Sequence, residues 1–120
     1  MRSNKTNNLN ETTVLNSRNN KQFKGVVVPM ITPFTSDFHL DEIAVEKIVA
    51  NLYKNNLQPF ILGTTGESAS LSMNIKKAYI KKAATLKMTG THLYVGIGSN
   101  CLEESIELAN MSADYGVDVV

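Results

Sequence analysis

The chain has 120 residues, of which 42% are hydrophobic and 19% charged, with a formal net charge of +1. That length and balance suit one modest globular domain and give no electrostatic case for nucleic acid, which needs a clustered basic surface. The single cysteine, Cys101, excludes an internal disulfide and any multi-cysteine metal site, and no apolar run approaches the roughly 18 residues of a membrane span.

The charge is unevenly spread. Residues 1–22 carry Arg2, Lys5, Arg18 and Lys21 against Glu11 alone and are crowded with asparagine, whereas residues 23–120 are net acidic. A segment with so few large apolar residues cannot offset its ordering entropy, so a disordered, dispensable leader is expected over residues 1–22. A transit peptide is the second reading: the segment is basic and nearly acid-free, but poor in arginine and without an amphipathic face. It has no apolar h-region of a secretory signal, and a cytoplasmic location is expected.

From Phe23 the pattern becomes periodic. Residues 25–31 (GVVVPMI) form a β-branched run without alternation, the mark of a strand buried on both faces. Thr32-Pro33-Phe34-Thr35 reads as a turn. Asp41 is placed to cap a helix with Val45, Ile48, Val49 and Leu52 on one face, ending at Asn55-Asn56. A second strand is expected over residues 57–62, despite Pro59. Gly63-Thr64-Thr65-Gly66 breaks it, and Ser72 caps a helix carrying Ile75, Tyr79, Ala83 and Leu86, with Gly90 as its stop. A third strand follows over residues 93–97. A third helix aligns Leu102, Ile106, Ala109 and Ala113 and stops at Gly116, and residues 117–120 begin a fourth strand.

The order βαβαβαβ implies an α/β fold with a parallel sheet and right-handed crossovers. An open doubly wound sheet and part of a (β/α)₈ barrel both fit, and both bind ligands at the carboxyl ends of the strands. The loops there are polar and rich in glycine or proline. The middle one, Gly63-Thr64-Thr65-Gly66-Glu67-Ser68, joins two glycines to three hydroxyls and a carboxylate. It is neither a phosphate-binding Walker loop nor a dinucleotide fingerprint. Read from the residues alone, it is either a capped turn or a small-anion site.

These residues resemble the dihydrodipicolinate synthase and N-acetylneuraminate lyase family. Residues 63–68 match its signature, Pro29-Met30-Ile31-Thr32-Pro33-Phe34 its first strand and Thr-Pro turn, and Gly96-Ile97-Gly98-Ser99-Asn100 its third strand end. Leu40-Asp41 with Val45 and Ile48-Val49 matches its first helix, and Ala113, Gly116, Val117 and Asp118 the approach to its fourth strand. The resemblance covers residues 24–120 in order. It implies the N-terminal portion of a (β/α)₈ barrel, three and a half βα units over residues 23–120. It also implies a pyruvate-dependent, Schiff-base lyase that needs no cofactor, takes pyruvate and an aldehyde as small-molecule substrates, and forms a homo-oligomer, commonly a tetramer. Thr64 takes the family's proton-relay role and Thr65 its contact to the pyruvate carboxylate. Ser68 directly after Glu67 tilts the reading toward the synthase branch, which condenses pyruvate with aspartate semialdehyde, over neuraminate lyases and other 2-keto acid aldolases.

The resemblance also has gaps. A full barrel takes roughly 250 residues, and the family's Schiff-base lysine, catalytic tyrosine and relay tyrosine pair fall beyond Val120. Residues 1–120 alone are therefore expected to be inert and prone to associate. An inert remnant and an open-sheet small-ligand binder are the readings from other classes. Lys76, Lys77, Lys81 and Lys82 are expected to face water on the second helix and supply no substitute. In some family members a lysine feedback site uses the positions of Ser68, Asn100 and Glu104, but Met73 and Lys76 stand where its two histidines are expected. Tyr94 reads as packing, Cys101 as a small capping residue, and His39 and His92 have no metal-ligand spacing.

Overall fold

The computed structural model describes residues 23–120, so the expectation of a disordered leader over residues 1–22 lies outside the described residues. Three parallel strands, β1 (Val26–Pro29), β2 (Leu57–Ile61) and β3 (Tyr94–Val95), lie in the order β1-β2-β3. They alternate with three helices, α1 (Glu42–Lys54), α2 (Met73–Thr85) and α3 (Leu102–Asp114). A short 3-10 turn, Ser68–Ser70, leads into α2. Beyond α3 the chain turns at Gly116 and runs parallel to β3, where Val119 bridges Tyr94 and its carbonyl accepts from the Val95 N–H at 3.0 Å. The fourth strand thus appears as a single bridge.

Local chemistry explains the boundaries. The Asp41 carboxylate accepts from the Ala44 N–H at 2.9 Å, filling one orphan donor at the start of α1. At the other end Asn56 adopts φ 56°, the left-handed conformation that asparagine tolerates. Ser72 caps α2 through Ile75, as expected. That helix ends at Thr85, ahead of Gly90, where the Thr85 hydroxyl donates to the Lys82 carbonyl. Pro59 is tolerated within β2 because of strand alternation. The carbonyl of Ile61 accepts from Gly96, so the missing Pro59 N–H also faces β3, whose ladder begins only at the Phe60–Tyr94 pair.

The core forms between the sheet and the α1–α2 layer, from Val45, Val49, Leu52, Ile61, Leu62, Tyr79, Ile80, Ala83, Leu93 and Val95. Helix α1 buries the expected face. Helix α2 buries Tyr79 and Ala83 as expected, and adds Ile80 and Lys76. Two expectations are corrected. Strand β1 is not buried on both faces: Val26 is 59% exposed, because β1 pairs only with β2 and the described helices cover one side of the sheet. Helix α3 does not bury the Leu102–Ile106 stripe. Leu102 is 70% exposed and Ile106 51%, while Leu108 and Ser112 are fully buried.

Candidate functional site

At the carboxyl end of the sheet, the ends of β1 and β3 both pass against the loop of residues 63–68. The Leu62 that precedes them is buried and left-handed, at φ 58°. For a bulky residue that conformation is strained by about 1–2 kcal/mol, and it directs the Leu62 carbonyl at Gly96. A Cβ on Gly96 would lie 2.3 Å from that oxygen, so only glycine fits where β3 passes the loop. A Cβ on Gly66 would lie 3.0 Å from the Met30 carbonyl and 3.2 Å from the Thr32 hydroxyl oxygen, so the loop is also seated tightly on the end of β1. The Thr32 hydroxyl donates to the Gly66 carbonyl at 2.7 Å, in a buried bond.

The loop folds on itself as a compact turn. The Gly66 N–H donates to the Gly63 carbonyl at 3.1 Å, and the Glu67 N–H to the Thr64 carbonyl at 2.9 Å. Glu67 is left-handed at φ 54°, which lets the chain enter the 3-10 turn at Ser68. Thr64 and Thr65 project at the tip and are exposed. Neither their N–H groups nor their hydroxyls have an acceptor among the described residues. Two amides and two hydroxyls are therefore unspent at one tip. Such a donor cluster suits a small carboxylate, and a hydroxyl that both donates and accepts can also pass a proton.

Sequence reading missed the supports of this loop. Thr32 was expected only in a turn, and Tyr79 only on an apolar helix face. Tyr79 is fully buried in α2, and its hydroxyl donates to the Ile31 carbonyl at 2.9 Å. Burial pushes its phenol far above the ordinary tyrosine range, so it is a permanent donor at any working pH. One signal was available: a tyrosine on a buried helical stripe has a polar end that must find a partner.

The other singled-out residues take structural places. Lys76 corrects an expectation: it is buried, at 5% exposure, and lines a cleft of about 630 Å³ with Ser99, Asn100, Cys101 and Glu104. Lys77 pairs with Glu107 of α3, and Lys82 with Glu42 and Glu46 of α1, so both staple neighbouring helices. His92 meets the Phe23 ring edge-on with centroids 5.1 Å apart, and Phe23 also packs on Tyr94. Cys101 stands at the N-cap of α3 without a side-chain capping bond, its thiol directed to Glu103. Among the described residues no group of three or more His, Cys, Asp or Glu is placed to hold a metal ion, and no helix is long and apolar enough to cross a membrane.

Comparison with known proteins bears on the family and the fold. The chain is 37% identical over 99 residues to 4-hydroxy-tetrahydrodipicolinate synthase of Campylobacter hominis, an alignment covering 81% of this chain and 33% of that protein. The dihydrodipicolinate synthase structure from Bacteroides thetaiotaomicron superposes with a TM-score of 0.76 at 32% identity, over 82% of this chain and 34% of that one. N-acetylneuraminate lyase from Mycoplasma synoviae superposes with a TM-score of 0.70 at 34% identity, over 78% and 33%. The chain thus spans about a third of the length of these relatives and corresponds to the N-terminal part of their barrel. The Dihydrodipicolinate synthetase family matches residues 22–120, and this chain belongs to that family.

Proposed function

We propose that the chain supplies the carboxylate-binding and proton-relay loop of a pyruvate-dependent lyase, most like 4-hydroxy-tetrahydrodipicolinate synthase. The observation that carries this reading is the cluster of unspent donors on Thr64 and Thr65, at the carboxyl end of a parallel sheet in a member of this family. In the reaction, a lysine amine adds to the C2 carbonyl of pyruvate and water leaves, giving an imine. Loss of a C3 proton then makes an enamine, which attacks the aldehyde carbon. The imine lysine comes from a barrel segment beyond Val120.

Within that scheme the loop has two tasks. The Thr65 hydroxyl and the adjoining N–H groups hold the pyruvate carboxylate, which fixes C2 relative to the amine. The Thr64 hydroxyl accepts a proton on one lone pair while donating its own, so it relays protons without becoming charged. Aspartate semialdehyde is the aldehyde favoured by the Glu67-Ser68 sequence and by the synthase relatives. The similarity to the Mycoplasma synoviae lyase supports a second reading, a 2-keto acid aldolase of the neuraminate type.

The test uses the full-length protein. Borohydride in the presence of labelled pyruvate should fix label covalently, and turnover with aspartate semialdehyde should exceed cleavage of N-acetylneuraminate. Thr64→Val should lower kcat by roughly 10²-fold, within the range for a general acid–base group. Thr65→Val should chiefly raise KM for pyruvate, since a hydrogen bond to a charged group contributes about 1.5–3 kcal/mol. Absence of trapped label would remove the lyase reading altogether.

A further inference from the structure

The signature loop reaches helix α2 through two hydrogen bonds that share the end of β1. The Tyr79 hydroxyl donates to the Ile31 carbonyl at 2.9 Å, and the next residue, Thr32, donates its hydroxyl to the Gly66 carbonyl at 2.7 Å. The register is fixed one residue earlier, where the Met30 N–H donates to the Phe60 carbonyl at 2.8 Å. Met30 and Thr32 are buried, whereas the Ile31 side chain between them is 57% exposed and anchors nothing. At Ile31 the strand end is therefore held through its backbone, by a phenol whose ring is locked in the core.

We propose that Tyr79 is a positioning residue for Thr64 and Thr65, acting through Ile31 and Thr32 on the Gly66 carbonyl. Tyr79 touches no substrate. Its hydroxyl sets the height of the Ile31-Thr32 segment, and Thr32 in turn sets the plane of the Gly66 peptide, one residue beyond Thr65. Tightness at Gly66, whose added Cβ would press on both the Met30 carbonyl and the Thr32 hydroxyl, leaves the loop little room to settle elsewhere while these bonds stand. Without them the loop loses its only described side-chain tie to β1. The catalytic consequence rests on the function proposed above, but the positioning itself does not.

The experiment therefore reads both, in the full-length protein. Amide hydrogen exchange is followed across residues 57–86 in Tyr79→Phe, Thr32→Val and Thr32→Ser, beside KM for pyruvate and kcat. Tyr79→Phe keeps the ring and removes only the donor. Exchange at the hydrogen-bonded loop amides of Gly66 and Glu67 should rise by about tenfold in Tyr79→Phe and Thr32→Val, the loss expected for one or two hydrogen bonds, while β2 and α2 stay at the parent rate. Thr32→Ser, which keeps the hydroxyl, should restore parent exchange. KM for pyruvate should rise by a larger factor than kcat falls in the two disrupting variants. Loop exchange at the parent rate, or an equal rise throughout β2 and α2, would overturn the proposal, because the tyrosine would then be idle or merely part of the core. Should the parent protein show no pyruvate chemistry, the functional reading fails while the exchange pattern still decides the positioning role.

Discussion

The first two βα units and the third follow the same plan but are packed differently. In the first two, the large apolar residues of the helices meet the sheet: Val45, Val49 and Leu52 from α1, and Tyr79 and Ile80 from α2, surround Ile61 and Leu62. In the third, α3 turns Leu102 and Ile106 outward and buries Leu108 with Ser112. At about 100° per residue, the exposed stripe and the buried one lie roughly a third of a turn apart. A helix in a ring of helices has two apolar duties, one toward the sheet and one toward its neighbours. The greasier stripe of α3 faces away from the described core.

The sharpest way to break that comparison is to truncate one residue from each stripe. Leu108→Ala should lower stability by about 3 kcal/mol, as for other fully buried leucines, seen as a fall in the urea midpoint at constant slope. Leu102→Ala should cost within about 0.5 kcal/mol in a form where that stripe stays solvated. Equal losses would mean that Leu102 is covered in solution.

Next in size is the contact between the third unit and the loop. Gly96→Ala sets a methyl carbon against the Leu62 carbonyl at 2.3 Å, a distance at which backbone must move. Overpacking of this kind costs about 1–3 kcal/mol, and the change should also impair pyruvate binding, because the displaced carbonyl directly precedes residues 63–68. A variant of parent stability and KM would show that β3 and the loop are not interlocked. Gly98→Ala is the control, with open space around its added Cβ.

The uneven outcome of sequence reading follows the same divide. Periodicity located α1 because its apolar residues and its buried residues coincide, and Asp41 marked its start by a donor need that is purely local. The parallel order and the position of residues 63–68 were legible for similar reasons, since glycine breaks the strand where the loop begins. Nothing local distinguishes Leu102 from Leu108. Which stripe of α3 meets the sheet depends on the angle at which the helix packs, a tertiary quantity. The same holds for Thr32 and Tyr79, whose partners lie 34 and 48 residues away along the chain, and for Lys76, which is buried where it lines a cleft with residues of the β3–α3 loop.

A smaller effect concerns how the end of the third unit is pinned. Asp118 accepts from the Leu93 N–H at 2.8 Å and from Lys87 at 2.8 Å. Burial works to raise its pKa, but the hydrogen bonds from Lys87 and Leu93 outweigh it and hold the carboxyl below its ordinary value. A carboxylate depressed in the folded state stabilises the fold fully above its unfolded pKa, about 3.9, and that contribution fades as pH falls through the lower folded value. Asp118→Asn should therefore cost about 1 kcal/mol at neutral pH and flatten the acid limb of a stability–pH curve below about pH 4. An unchanged acid limb would show that the pair is not formed in solution.

The smallest expected effect tests why a serine occupies the buried stripe of α3 at all. Ser112 is fully buried, and its hydroxyl has no hydrogen-bond partner among the described residues. A buried hydroxyl without a partner loses its water without compensation, at a cost of about 1–3 kcal/mol. Alanine removes that group, nearly preserves the volume and has the higher helix propensity. Ser112→Ala should thus raise stability by up to about 1 kcal/mol, measured as an upward shift in the urea midpoint beside Leu108→Ala. The opposite sign carries as much information. A loss on Ser112→Ala would mean that the hydroxyl finds an acceptor, for instance by rotating onto the carbonyl one turn earlier in α3. The buried stripe of α3 would then be anchored by a polar contact as well as by Leu108, just as α2 is anchored by the Tyr79 hydroxyl as well as by Ile80 and Ala83.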